Sequence, residues 1–287
     1  MKFGVIPPYG RAPLESPDYS VALAQMAEQY GFESIWVVEH VVMAVEYDSV
    51  YPYDPSGRSP FTAEVVQPDP LLWLTYVAAH TRTIRLATGV LILPQRNPLI
   101  LAKELATMDR LSGGRVELGI GVGWVREEAQ ALGTDFHTRG RRADEYIAVM
   151  RTLWREPIAS FHGEFVNFDR VVSRPTPVQA GGVPIIVGGH SAAAARRAGR
   201  LGNGFFPLGV FGSQLAGLRA IMTAEAQRHG RDPGAIPLTC VGLPEIKHAE
   251  QLAAAGVERM VVAVPAPDLE EARRWFERFR RQVMDKI

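Results

Sequence analysis

The chain has 287 residues, 47% of them apolar, and its 31 acidic and 31 basic side chains balance to a formal charge of zero. This balance excludes a global field that would attract nucleic acid or an anionic membrane, so the expected partner is a small molecule. A single cysteine, Cys240, excludes an internal disulfide, and no stretch approaches the ~20 apolar residues of a membrane-spanning helix.

The chain begins directly with a predicted strand and shows no export signal, so we expect a cytoplasmic location. Short β-branched runs then alternate with longer segments of helical period, which is typical of βα units around a parallel sheet. Eight strands are predicted, at Lys2–Ile6, Ser34–Val38, Ile84–Leu93, Arg115–Gly119, Ile185–Val187, Gly204–Phe206, Ile236–Val241 and Arg259–Val264. Helices are predicted at Asp18–Tyr30, Asp69–His80, Leu99–Leu111, Arg139–Trp154, Ser191–Leu201, Gly212–His229, Glu245–Ala255 and Asp268–Asp285.

The number of strands favours a closed barrel. Eight βα units in a chain of this length predict an α/β fold of the TIM (β/α)8 barrel type, formed as a single domain from residues 1–287. An open doubly wound sheet is the alternative. Such a sheet usually has a glycine-rich turn after its first strand, and Pro7–Arg11 is not a turn of that kind.

Two insertions interrupt the repeat, one after strand two and one after strand four. The first, His40–Pro68, is rich in tyrosine and proline, and we expect a lid or pocket wall because barrel active sites are built from the loops that follow strands. A surface loop without function is the alternative. The second, Thr134–Val183, contains one predicted helix and a predicted hairpin around Phe161–Phe165, and we expect it to enlarge one rim of the mouth.

Strand two ends in a carboxylate and an imidazole, Glu39 and His40, which would both lie at the barrel mouth. A histidine there can exchange a proton near neutral pH, and an adjacent carboxylate can orient it or bind a ligand. A solvated glutamate and an ordinary loop histidine are the alternative interpretation.

Two further strands carry glycines where a flat ligand could approach the backbone. The third strand contains Thr88-Gly89-Val90, and a glycine there marks either such an approach or a bend of the barrel. Gly121 and Gly123 follow the fourth strand, and because glycine has no side chain, a ligand at the mouth could rest against the backbone there. The same spacing of glycines also occurs in loops that bind nothing. Trp124 comes next, as an aromatic wall or as a packing residue.

The fifth strand leads into the start of a helix through Gly188, Gly189, His190 and Ser191. Free amide groups and the positive end of the helix dipole form an anion site, and the two glycines let a phosphate come close. Ser191 could equally be an ordinary N-cap. No nucleophile elbow, zinc-protease motif or Walker loop occurs, and the other histidines have no metal-like spacing, so no metal site is expected.

In order along the chain, five segments resemble the luciferase-like monooxygenase superfamily, with a likeness that runs from Met1 to about Pro207. The segments are Ala87–Pro94, Asp109–Arg115, Leu118–Trp124, Leu132–Phe136 and Pro184–Gly189. The resemblance implies a TIM barrel with a non-prolyl cis peptide at Gly89–Val90 behind a cofactor ring. It also implies a homodimer.

The same resemblance implies roles for the residues above. The loop Gly188–Ser191 would receive the cofactor phosphate, with Thr88, Gly89, Val90, Gly121 and Gly123 around the cofactor. Glu39 and His40 match a pair that lies beside the ring in the deazaflavin branch, where the histidine transfers a proton. Tyr51, Tyr53 and Trp124 would line an aromatic, apolar substrate pocket.

One position favours coenzyme F420 over FMN, because luciferase-type flavin sites have a phosphate-binding arginine where this chain has Val122. A second position concerns the substrate: sugar-phosphate dehydrogenases of the deazaflavin branch have an acidic residue where this chain has Trp124, so a sugar phosphate is not the expected substrate. The leading prediction is therefore an F420-dependent oxidoreductase that transfers a hydride to or from an organic small molecule. An FMN-dependent monooxygenase that uses dioxygen and a flavin-binding protein without catalysis are the alternatives.

Overall fold

The computed structural model describes all 287 residues. Its strands are β1 (Lys2–Ile6), β2 (Ser34–Val37), β3 (Arg85–Thr88), β4 (Leu91–Ile92), β5 (Val116–Gly121), β6 (Ala159–His162), β7 (Asn167–Val171), β8 (Ile185–Gly188), β9 (Gly204–Phe206), β10 (Thr239–Val241) and β11 (Arg259–Ala263). Its α-helices are α1 (Pro17–Gln29), α2 (Pro70–Ala78), α3 (Pro98–Ser112), α4 (Arg126–Ala131), α5 (Arg139–Arg155), α6 (Ala192–Leu201), α7 (Gly212–Arg228), α8 (Ile246–Ala254) and α9 (Leu269–Gln282). No helix is both long enough and apolar enough to cross a membrane.

The strands form a parallel barrel in the order β10-β11-β1-β2-β3-β5-β8-β9. The remaining gap is closed by one parallel bridge between Phe205 of β9 and Leu238, which immediately precedes β10. The short strand β4 continues the third barrel strand and pairs with β5. This topology confirms the predicted TIM barrel.

The sequence predicted one continuous third strand over Ile84–Leu93, and that interval is wrong. The structure divides it into β3 and β4 at a non-prolyl cis peptide between Gly89 and Val90, where the resemblance implied one. The predicted start of the seventh strand at Ile236 is also too early, because Pro237 has no amide hydrogen for a strand ladder and regular pairing begins at Thr239.

Local signals explain where several helices begin and end. Asn97 caps α3 by accepting a hydrogen bond from the amide of Leu99 at 2.9 Å, and Pro98 occupies the first helical position, where a missing amide hydrogen costs nothing. After α1, Gly31 adopts a φ of 85°, the left-handed conformation that glycine adopts without strain and that ends a helix.

Charged side chains occupy the N-terminal end of the barrel, opposite the mouth. Arg259, the first residue of β11, donates to both carboxylate oxygens of Glu33 at 2.8 Å and to Glu117 of β5 at 2.9 Å. Arg85 of β3 binds the same Glu117. Arg259 and Glu117 are buried at the centre of this network, Glu33 and Arg85 are partly exposed, and every charge has an opposite partner.

Both insertions are present, with one correction to the second. The helix α5 contacts α3 and α6, so it is the outer helix of the fourth βα unit and not an added element. The hairpin β6–β7 attaches to this helix through Glu145, whose carboxylate accepts from three amides in the hairpin turn at 2.7 to 2.8 Å. No hairpin residue lines the cavity at the mouth, but Phe136, His137, Arg139 and Gly140 of the same insertion do, so the insertion contributes to the rim through the start of α5.

Candidate active site

A cavity of about 800 Å³ opens at the C-terminal mouth of the barrel. Its walls come from the ends of five strands, from the first insertion and from the starts of α5 and α6. Twelve of the residues singled out in the sequence line it: Glu39, His40, Tyr51, Tyr53, Val90, Gly121, Gly123, Trp124, Gly188, Gly189, His190 and Ser191. The structure therefore brings together segments that are up to 150 residues apart in the chain.

Thr88 and Gly89 are the two predicted site residues that do not line the cavity. The Thr88 hydroxyl is buried and donates to the carbonyl oxygen of Gly119 at 2.6 Å, so it ties β3 to β5. Gly89 faces the barrel interior, where an added Cβ would lie 3.2 Å from the Trp36 ring. In the structure Thr88 contacts β5 and Gly89 lies against Trp36, and their contact with a cofactor stays a prediction.

His40 is held on the cavity wall by a carboxylate that the sequence did not identify. Its Nδ1 lies 2.9 Å from Oε2 of Glu128, and the imidazole is nearly enclosed, with 9% of its side chain exposed. The Trp124 ring meets the imidazole edge-on, at 5.9 Å between centroids. Nδ1 is thus occupied, and Nε2 is the ring nitrogen left for the cavity.

Glu39 does not hydrogen-bond His40. Its carboxylate accepts from the amide of Ile92 at 2.6 Å and from Nε of Arg96 at 2.8 Å, and Arg96 also binds Asp69 at 2.6 Å. Burial raises the pKa of the Glu39 carboxyl above its ordinary value of 4.5, and Arg96 offsets only part of that rise. The expectation that Glu39 orients His40 is therefore wrong, because Arg96 and Ile92 occupy its oxygens.

Val90 projects between two glycines at the bottom of the cavity. A Cβ added to Gly121 would lie 2.7 Å from one Val90 methyl carbon, and a Cβ added to Gly188 would lie 2.6 Å from the other. Real Cβ atoms do not approach so closely, so glycine at both positions is what leaves room for Val90. The result is a smooth apolar floor with no side chains at 121 or 188, which suits a flat ring.

The opposite end of the cavity suits an anion. The first amides of α6, at Ala192 and Ala193, precede its first intrahelical hydrogen bond and point toward the cavity end of the helix. Nδ1 of His190 and Nε of Arg139 are buried there without a hydrogen-bond partner. Burial, together with the nearby charge of Arg126, lowers the pKa of the Arg139 guanidinium below its ordinary value. These unsatisfied donors fit a phosphate group.

Aromatic rings of the first insertion cover the cavity between these two ends. Tyr51 contacts Trp124 at 5.1 Å and Tyr53 at 5.3 Å, and Tyr53 in turn contacts His190 at 4.8 Å. Burial raises the pKa of Tyr53 to about 12. The three rings therefore form a continuous apolar wall from the imidazole to the anion end.

A family model described as luciferase-like monooxygenase matches residues 1–287. The chain belongs to the luciferase-like monooxygenase family. An uncharacterised Mycobacterium tuberculosis protein is 35% identical over 182 residues, which cover 63% of this chain and 62% of the relative. The matched part of this chain thus covers less than two thirds of the length of the M. tuberculosis relative.

Relatives and structural neighbours of this luciferase-like protein use two kinds of cofactor. An FMNH2-dependent dimethylsulfone monooxygenase of Pseudomonas putida is 29% identical over 206 residues, covering 71% of this chain and 51% of the relative. An F420-dependent secondary alcohol dehydrogenase, solved with an F420-acetone adduct, superposes with a TM-score of 0.79 at 18% identity over 97% of both chains. The second similarity demonstrates the shared fold alone.

Three residues at this luciferase-like site were missed in the sequence. Glu128 lies on the six-residue helix α4, which begins without a side-chain cap and so gives no start signal. Arg96 and Arg139 carry no motif of their own. Glu128 and Arg96 could be found only through their partners in space, since Glu128 is 88 residues from His40 and Arg96 is 57 from Glu39.

Proposed function

We propose that this chain is a coenzyme F420-dependent oxidoreductase, which transfers a hydride between the deazaflavin and an organic small molecule. The observation that carries the proposal is the His40–Glu128 pair, because an imidazole held by a carboxylate can exchange a proton with a substrate in the cavity. Val122 in place of the arginine of luciferase-type flavin sites supports the deazaflavin over FMN.

The residues of the cavity divide the work of binding. The floor at Val90, Gly121 and Gly188 would support the ring, while the start of α6 and Arg139 would hold the phosphate. The cofactor, when bound, supplies the hydride chemistry, and the protein supplies binding and orientation. Tyr51 and Trp124 would exclude water and contact the apolar part of the substrate.

His40 would move the proton that accompanies the hydride. In the direction of substrate oxidation Nε2 of His40 would accept the proton that the substrate loses, and in the reverse direction it would return that proton. We expect His40→Ala to lower turnover by about 100-fold or more, which is the usual contribution of a positioned acid or base. Cofactor affinity should change only a few fold. His80→Ala, on the outer surface, is the matched control.

The first test is fluorescence titration of the protein with F420 and, separately, with FMN at the same salt concentration. Micromolar or tighter binding of F420, with FMN at least ten times weaker, is the expected result. A screen of alcohols, carbonyl compounds and activated alkenes for changes in F420 absorbance then supplies the substrate for the His40 variants. Preference for FMN would overturn the cofactor assignment, and binding of neither would overturn the function.

The anion end has its own test. Arg139→Gln should weaken F420 binding about tenfold or more. It should leave the binding of a 5-deazariboflavin, which has the ring and ribityl chain but no phosphate, unchanged. Arg141→Gln is the matched control, because Arg141 lies on the same helix, does not line the cavity and pairs with Glu164 on the surface. Equal loss of affinity for both ligands would mean that Arg139 does not bind the phosphate.

A reduced-FMN monooxygenase is the second candidate, favoured by the continuous aromatic wall of Tyr51, Tyr53 and Trp124. Such a wall would shelter an oxygen-reactive flavin from water. The sequence similarity to the dimethylsulfone monooxygenase supports the same candidate. Oxygen consumption by the protein with reduced FMN, above the rate of free reduced FMN, distinguishes the two functions.

We also propose that the chain forms a homodimer through the outer faces of α2 and α3. Four large apolar residues are exposed on these neighbouring helices, namely Leu72, Tyr76, Ile100 and Leu111. Exposed apolar side chains clustered on adjacent helices are typical of an interface. Sedimentation velocity should give a dimer, and Leu72→Arg with Ile100→Arg should give a monomer. A wild-type monomer would contradict the proposal.

A further inference from the structure

Glu128 makes an unusual set of contacts for an acidic side chain on a short helix. It is 1% exposed, and all the hydrogen bonds of its carboxylate run to the first insertion, where the chain leaves β2. Oε2 lies 2.9 Å from Nδ1 of His40, and Oε1 accepts from the amide of Val41 at 2.7 Å. The amide of Val42 also points at Oε1, at 3.4 Å. One oxygen therefore serves the imidazole and the other serves the backbone.

The chemistry of the partners determines which nitrogen of a neutral His40 carries the proton. An ionised carboxylate has no hydrogen to donate, so it can bind Nδ1 only if Nδ1 carries a hydrogen. A neutral imidazole has one N–H group, and Nε2 is then a bare acceptor. The edge of Trp124 fixes the plane of the ring and keeps this geometry in place.

We propose that Glu128 is a positioning residue that fixes neutral His40 as its Nδ1–H tautomer, so that Nε2 meets the cavity as a proton acceptor. Before the reaction, the imidazole can therefore accept a proton from a substrate that is being oxidised. The tautomer follows from contacts within the protein, whereas its use in catalysis rests on the proposed function.

The backbone makes Glu128→Gln a sharp test of this proposal. The amide of Val41 must keep an acceptor, so the carbonyl oxygen of Gln takes the place of Oε1. The NH2 group of Gln is then left facing Nδ1 of His40. Because that group can only donate, Nδ1 must become the acceptor and the proton must move to Nε2. The substitution is nearly isosteric and yet reverses the tautomer.

The measurement is two-bond 1H–15N correlation NMR of the cofactor-free, 15N-histidine-labelled protein at about pH 8.5, where an ordinary histidine is neutral. His40→Ala identifies the His40 signals among those of the seven histidines. We expect a protonated Nδ1 and a bare Nε2 in the wild type, and the reverse in Glu128→Gln. The wild-type spectrum is sufficient by itself if the variant does not fold.

Glu127→Gln is the matched control, because it makes the same change one residue away. Glu127 binds Ser49 and the amide of Asp48 and does not contact His40. The tautomer of His40 should be unchanged in this variant. A wild-type His40 with its proton on Nε2, a mixture of tautomers, or an unchanged tautomer in a folded Glu128→Gln protein would each overturn the proposal.

Kinetics separate this inference from the proposed function. With a substrate in hand, Glu128→Gln should lower kcat about 10-fold or more in the direction of substrate oxidation and change F420 affinity only a few fold. If His40→Ala retains full turnover, the proposed function fails while the tautomer can still be correct. If His40→Ala is inactive but wild-type His40 is not the Nδ1–H tautomer, the proposed role of Glu128 is refuted while the proposed function is retained.

Discussion

The two ends of the barrel use charged and polar groups in opposite ways. At the N-terminal end, Arg259 and Glu117 are buried, Glu33 and Arg85 are partly buried, and every one of them has a partner of opposite charge. At the mouth, Arg139 and His190 each bury a nitrogen that has no partner at all. Buried polar atoms are normally satisfied, and these two lie beside the cavity, where we propose that a ligand binds.

The comparison suggests that groups at the N-terminal end of the barrel serve stability and groups at the C-terminal end serve binding. The charges at the closed end are satisfied within the protein, whereas the unpaired nitrogens at the mouth are free to bind the proposed ligand. Barrel enzymes in general place catalysis at the C-terminal face and stability at the N-terminal face. Substitutions at the two ends should therefore be distinguishable by what they change.

The largest effect on folding is expected from Arg259→Met. Removal of this guanidinium leaves the carboxylates of Glu33 and Glu117 buried with too little compensating charge. Breaking a buried pair in this way costs about 3–5 kcal/mol in the free energy of unfolding. Urea unfolding monitored by circular dichroism measures the loss, and F420 affinity of the folded variant should be unchanged. A loss below about 1 kcal/mol would refute the contrast between the two ends.

A smaller effect is expected from Gly121→Ala at the mouth. The added Cβ would lie 2.7 Å from a Val90 methyl carbon, and such overpacking costs about 1–3 kcal/mol. F420 affinity should fall as well, because Val90 must move and disturb the cavity floor. In the double variant with Val90→Ala the clash is removed, so the free energy of unfolding should recover. If the free energy of unfolding does not recover, Val90 is not the residue that clashes with the Cβ added at position 121.

The closed end should also respond to acid. Burial raises the pKa of Glu33, but hydrogen bonds and charge from Arg259 outweigh burial and bring the pKa below its ordinary value of 4.5. A lowered folded-state pKa gives stability that is present above pH 4.5 and is lost as the pH falls toward the folded-state pKa. The stability advantage of the wild type over Glu33→Gln should therefore shrink below about pH 4.5. A difference that stays constant with pH would contradict this.

The smallest effect is expected outside both ends. Arg274 binds Glu270 at 2.9 Å one turn away on α9, and both side chains are more than half exposed. Exposed pairs of this kind contribute about 0.5 kcal/mol or less. Glu270→Gln should therefore leave the melting temperature nearly unchanged, and it provides the baseline against which the buried network is judged.

Periodicity predicted the repeat well because each βα unit is a local feature of the sequence. Lys2–Ile6 and Gly204–Phe206 agree with the structure residue for residue. The break at Gly89–Val90 was implied by the family resemblance, not by the strand pattern. The helix α4 was missed because it has only six residues and no capping side chain, too little sequence for a helical period to be recognised.

Twelve of the predicted site residues line one cavity, whereas their individual contacts were harder to predict. The glycines of the cavity floor and the start of α6 were found because each follows a strand, and strand ends meet at the mouth. The partners of individual side chains were not. Glu39 looked like the natural partner of its neighbour His40, but adjacent residues point in different directions, and Arg96 and Glu128 reach them from distant segments.

The seam of the barrel has a consequence for its motions. Between β9 and β10 a single bridge at Phe205 and Leu238 replaces the ladder found at the other strand pairs. Local opening begins where the fewest hydrogen bonds must break. Amide hydrogen exchange at the seam should therefore be faster than exchange in β1 and β11. Local opening of the barrel at the seam would occur beside Phe206, and Leu208, two residues further along the chain, lines the cavity.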